Sequence, residues 1–99
     1  MRVSWTEPAL EDLEAIQAYI AKDSSFYARQ FIERIFDAAT KLETFPKIGR
    51  RVPEAEERAD VRELIFQGYR IIYLIQPENI AITVIHGSRY LAGMGDKPW

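Results

Sequence analysis

The stretch RELIFQGYRIIYLIQPENIAITVIHGSRYL, residues 62–91, leaves this chain few ways to fold. Apolar and polar side chains alternate along it. Gln67-Gly68 supplies a two-residue turn and Pro77-Glu78-Asn79 a second. Three strands are predicted, roughly residues 62–66, 69–76 and 80–86. Connections this short can join only antiparallel neighbours, so the three form a meander. Strand alternation puts Arg70, Ile72, Leu74 and Gln76 on one face of the middle strand and Tyr69, Ile71, Tyr73 and Ile75 on the other.

Upstream the period changes from two to between three and four. Val3-Ser4-Trp5 is short and β-prone, a terminal or edge strand. Thr6 is placed to cap a helix, with Glu7 and Pro8 in a first turn where a missing N–H costs little. Leu10, Leu13, Ile16, Ala18 or Tyr19, and Ile20 then recur at helical spacing, with Glu11, Asp12 and Glu14 on the opposite face. Asp23-Ser24-Ser25 breaks that pattern and can cap a second helix carrying Ala28, Phe31, Ile35, Ala38, Leu42 and Phe45. Such a stripe serves packing against the first helix and a sheet. Pro46 closes the helix. The basic segment Lys47-Ile48-Gly49-Arg50-Arg51-Val52-Pro53-Glu54 reads as a loop, and residues 55–60 as a further loop or short helical turn. The order β-α-α-β-β-β predicts an α+β fold with a helical hairpin on one sheet face. Periodicity does not say where the N-terminal strand joins the sheet.

With 99 residues the chain has material for one core, and 47% hydrophobic residues suffice to build it. A single domain over residues 1–91 is expected. The tail Ala92-Gly93-Met94-Gly95-Asp96-Lys97-Pro98-Trp99 has no periodicity and is predicted mobile. No cysteine is present, which excludes disulfides and Cys-based zinc sites, and one histidine excludes a His-rich metal site. No cofactor is predicted. No apolar run approaches the ~20 residues of a membrane span, and the N-terminus lacks a signal-peptide core, so a cytoplasmic protein without membrane contact is expected. The net charge of −2 argues against a general nucleic-acid coat. Acids crowd the first helix, and cations gather on the sheet and the loop before it.

Candidate functional residues are therefore cationic. Arg70 can grip a phosphate or carboxylate through two parallel hydrogen bonds, or form a structural ion pair with Glu63 or Glu54. His86 is the one side chain whose ordinary pKa lies near neutrality, hence a candidate acid or base, or a packed histidine at a strand end. Gly87 allows a bend that would project Arg89 beside that end. Lys47, Arg50 and Arg51, with Arg58 nearby, can neutralise backbone phosphates or form a solvated loop, and Glu54, Glu56 and Glu57 oppose the former.

GYRIIYLI followed by VIHGSR, behind a helical hairpin ending in FPKIGRRVPE, resembles the RelE/ParE superfamily of toxins from bacterial toxin–antitoxin operons, also known as plasmid stabilisation proteins. The resemblance runs from Trp5 to about Leu91 and implies a RelE-like fold. In the RNA-cleaving branches it implies a substrate-contacting arginine at Arg70, a catalytic arginine at Arg89 in Gly87-Ser88-Arg89, a general base at Glu54 and a role for His86. The chain departs from those branches in turn. Val61, Arg62 and Glu63 stand where RelE-type members carry two lysines, Tyr90 is out of place for their tyrosine, and the YoeB-like His-Tyr pair is absent. The strand ending Val84-Ile85-His86 looks more like ParE-type members. The resemblance thus implies a type II toxin neutralised by a cognate antitoxin in a hetero-oligomer. The favoured activity is ParE-like inhibition of DNA gyrase and replication, with no firm catalytic residue. The alternative is a ribosome-dependent mRNA endonuclease, and a further one a non-toxic interaction module. Expected target contacts are Lys47, Arg50, Arg51, Arg62, Arg70 and Arg89. Expected antitoxin contacts are Tyr19, Phe26, Tyr27 and Phe66.

Overall fold

Thr6 starts the first helix by leaving it: its backbone is extended, and its hydroxyl accepts the amide of Ala9. The computed structural model of the chain describes residues 1–87, without the side chains of Val84 and His86. Strand β1 (Arg2–Trp5) leads into helices α1 (Glu7–Ala21) and α2 (Ser25–Thr44). A two-residue strand β2 (Arg50–Arg51) and a 3-10 turn (Pro53–Ala55) precede β3 (Val61–Phe66), β4 (Tyr69–Ile75) and β5 (Asn79–Gly87). Ser24 caps α2 through the amide of Tyr27.

The five strands form one sheet in the order β1-β5-β4-β3-β2. The meander is antiparallel, as its short turns require. Gln67 and Gly68 both take positive φ, at 47° and 82°, which matches the turn to the twist of the strands it joins. Strand β1 lies parallel to β5, Trp5 opposite Ile82, and so closes the sheet beside its last strand. The pairing of β4 with β5 slips by one residue at Thr83, whose hydroxyl donates to Ile72 O. That bulge explains a break in the sequence alternation: Ile80, Ile82 and Ile85 all face the helices because the extra residue resets the period.

The helices cover one sheet face. Leu13 of α1 and Phe31, Ile35 and Leu42 of α2 pack on Ile71, Tyr73, Ile80 and Ile82. Ile35 and Leu42 are fully buried, and burial of this kind contributes about 1.5–3 kcal/mol per side chain. Phe45, expected to end the packing stripe, is exposed instead, because α2 stops at Thr44 and the chain turns away. Asp12 also departs from expectation. Where β1 has ended, its carboxylate accepts the amide of Ile85 and stands in for a missing ladder bond. On the other sheet face Val52, Ala55, Val61 and Ile72 form a second, smaller core under the 3-10 turn. The expected loop at 47–54 is thus partly a strand and partly a lid on that face.

Candidate functional site

Strand β4 turns Arg70 away from the helices, opposite Ile65 in β3 and the backbone of His86 in β5. Its side chain is 3% exposed. The two terminal nitrogens donate to the two Glu54 oxygens at 2.7 Å each, a bidentate fork. Nε donates to Glu63 Oε1 at 2.5 Å. The other Glu63 oxygen accepts from Nε of Arg50 at 2.7 Å. Side-chain exposure is 1% for Glu54 and 0% for Glu63, so both carboxylates are removed from water and depend on these cations. The Glu54 carboxylate holds the Arg70 guanidinium charged well above its ordinary range, Glu63 adds to this, and burial opposes both. The cluster ties three parts of the chain together: the 3-10 turn through Glu54, the edge strand through Arg50, and the sheet centre through Arg70.

A second set of polar bonds fastens the segment before the edge strand. The Tyr73 hydroxyl donates to Pro46 O at 2.8 Å and accepts the Gly49 amide at 3.0 Å. Arg62 donates to Gly49 O and to Ala59 O. Gly49 is required here: a Cβ would stand 2.6 Å from both Glu63 O and the Tyr73 hydroxyl.

The cations expected at the target surface therefore separate. Lys47, Arg50 and Arg51 are exposed together along the β2 edge. Arg62 is half-buried and bonded to backbone carbonyls. Arg70 does not join them. It is enclosed by Glu54 and Glu63, the two partners its structural reading named, because the 3-10 turn folds over it. Glu54, the candidate base, is committed to the same fork. Arg89 and the side chain of His86 lie outside the described residues, as does the 92–99 tail. Arg58 pairs with Asp60 at the surface, a bond that raises the Arg58 pKa and lowers that of Asp60. Among the described residues, no three His, Cys, Asp or Glu side chains converge as a metal site. Nor is any helix among them long and apolar enough to cross a membrane.

Tyr19, Phe26 and Tyr27 are all exposed around the turn between the helices. The Phe26 and Tyr27 rings meet edge to face at 5.6 Å, and the Lys22 ammonium sits 5.8 Å from the Tyr19 ring centre. Phe66 is separate and only half-exposed, because its ring packs against Phe31. The sequence does not mark Asp12 and Tyr73 as polar anchors: Asp12 reads as one acid among several on α1, and Tyr73 as one more aromatic on the core face.

The buried Arg70 guanidinium is held in an internal ion cluster, within an α+β fold similar to a solved structure described as "Chromosomal ParDE TA system from P. aeruginosa". The TM-score is 0.73 at 23% identity, over 90% of this chain and 97% of that one. A protein of Sinorhizobium fredii named "Putative toxin Y4kP" is 34% identical over 87 residues, which is 86% of each chain. Residues 3–90 match the family described as "ParE toxin of type II toxin-antitoxin system, parDE". The chain belongs to the ParE toxin family.

Proposed function

We propose that this toxin acts by binding: it inhibits DNA gyrase, blocks replication, and is neutralised by a cognate antitoxin in a hetero-oligomeric complex. The observation that carries the reading is the closed fork between Arg70 and Glu54. A nuclease using these two groups needs the guanidinium on a substrate phosphate and the carboxylate on a 2′-hydroxyl. Here each occupies the other, and Glu63 takes the remaining Nε bond of Arg70. The cluster therefore serves the architecture of the binding surface rather than proton transfer. Exposed Lys47, Arg50 and Arg51, flanked by Arg62, form the target contact. Tyr19, Phe26 and Tyr27 meet the antitoxin, with residues 1–91 acting as one domain in the cytoplasm, where gyrase works.

The test is expression of the toxin alone, with pulse labelling of DNA and protein synthesis. DNA synthesis stopping first, with rescue by the antitoxin, supports the reading. Early arrest of translation with cleaved mRNA overturns it and turns attention to Arg70, Arg89, His86 and Glu54 as an endonuclease set.

A further inference from the structure

Arg50 differs from its neighbours Lys47 and Arg51. All three are exposed at the β2 edge, but of the three only Arg50 is anchored through its side chain. Its Nε donates to Glu63 Oε2 at 2.7 Å although the side chain is 61% exposed. Glu63 divides its oxygens between two arginines, Oε1 for Arg70 and Oε2 for Arg50. It therefore takes no fork from Arg50, and no other described residue bonds that guanidinium. Both terminal nitrogens are left over, on a side chain open to water. The anchor continues inward. Glu63 is fully buried, Arg70 holds it, and Glu54 holds Arg70 from the 3-10 turn. A line of alternating charges thus runs from the lid to the edge and ends on a guanidinium whose outer fork is unused.

Such a group is prepared for a carboxylate. Two parallel N–H groups match the two oxygens of an acid, and an arginine already held in place loses less freedom on binding. The surroundings select the kind of partner. Just upstream, Thr44, Phe45, Pro46, Lys47 and Ile48 line a hollow of about 500 Å³, and Phe45 and Ile48 are 59% and 56% exposed. An apolar hollow near a cationic fork fits a protein surface, which can bring an apolar side chain together with an acid. A nucleic-acid backbone offers the fork a phosphate but the hollow nothing. Glu56 and Glu57, exposed just past the 3-10 turn, also repel a long polyanion more than a single carboxylate.

We propose that Arg50 is the specificity-determining contact of this edge, taking a carboxylate of gyrase in a two-bond fork, and that Glu63 is its positioning residue. An apolar side chain near that carboxylate enters the hollow over Phe45 and Ile48. The proposal rests on the reading that gyrase is the target, and it names the chemistry that the target must present. Charge and geometry divide the work. Lys47 and Arg51 draw an acidic surface in, and the anchored fork on Arg50 fixes where it lands.

The test measures the affinity of refolded toxin for purified gyrase by calorimetry, without DNA and then with it. R50K keeps the charge and can still pair with Glu63, but one ammonium cannot hold Glu63 and also present a fork outward. It is expected to bind DNA-free gyrase at least about tenfold more weakly than wild type. The control R29K, at an exposed arginine of α2 away from this edge, is expected within about threefold. E63Q is expected to weaken wild type by about fivefold or more but to add less than about twofold to R50K, since a positioning residue acts through the group it positions. Circular dichroism checks folding, and if E63Q unfolds, E63D replaces it in the cycle. Equal binding by R50K, or equal weakening by E63Q in both backgrounds, overturns the proposal and leaves gyrase as the target. A defect of R50K that appears only with DNA bound assigns the fork to a phosphate and overturns the carboxylate. Folded wild type that binds gyrase under neither condition overturns the target reading, and the proposal with it.

Discussion

Removing the Arg70 side chain is the most revealing single change. Arg70→Ala leaves Glu54 and Glu63, with side chains 1% and 0% exposed, facing each other without the cation between them. Arg50 still reaches Glu63 from the edge, but its own side chain is 61% exposed and contributes less. Breaking a buried pair by deleting one partner costs about 3–5 kcal/mol. Domains of this size hold about 5–15 kcal/mol in all, so the variant should sit near its folding limit. With a urea slope of about 2 kcal/mol/M, the midpoint should fall by roughly 2 M. The triple variant E54L/E63M/R70M removes both charges with the cation and should recover most of that loss, since a well-packed apolar replacement is often neutral or stabilising. Urea unfolding followed by circular dichroism on the three proteins measures this directly. A loss below about 1 kcal/mol for Arg70→Ala would refute the cluster as a structural tie and return Arg70 to the pool of available cations.

Two further outcomes follow from the polar anchors of the 46–51 segment. The Tyr73 hydroxyl is buried, which pushes its pKa up from the ordinary 10.0. The folded chain keeps this proton while the unfolded one loses it, so its stabilisation is whole below about pH 10 and declines as pH rises above that. Tyr73→Phe should start about 1–3 kcal/mol less stable at pH 8 and show a flatter decline at pH 10–11; parallel curves in urea titrations would contradict this. Gly49→Ala should cost about 1–3 kcal/mol, because its Cβ would stand 2.6 Å from Glu63 O and from the Tyr73 hydroxyl, and a thermal melt reads it.

Much of this fold is written locally. The two helix caps, the Gln67-Gly68 turn and the meander follow from short-range chemistry, and the sequence alone marks them. The parallel docking of β1 beside β5 is not so marked, because alternation along a strand carries no information about its partner. Strand β2 has two residues, too few to show any period, and exists because Gly49, Arg50 and the Glu63 carboxylate meet. The Thr83 bulge hides between apolar neighbours on both sides, Ile80-Ala81-Ile82 and Val84-Ile85, where alternation cannot be followed. Arg70 shows the limit for the site. Its sequence neighbourhood fits a displayed cation and a buried one equally, and Glu54 and Glu63 are both visible as partners. What decides between them is the 3-10 turn swinging over the sheet, a tertiary event with no local signature.

The proposed function has this ParE-family toxin bind gyrase and perform no RNA chemistry with its arginine–glutamate pair. Supercoiling of relaxed plasmid by purified gyrase, titrated with refolded toxin and with the His86→Gln variant, tests it most directly. Dose-dependent inhibition, unchanged by His86→Gln and reversed by antitoxin, is the predicted result. Full supercoiling in the presence of well-folded toxin, with mRNA cut on translating ribosomes and the cutting lost in His86→Gln, would contradict it.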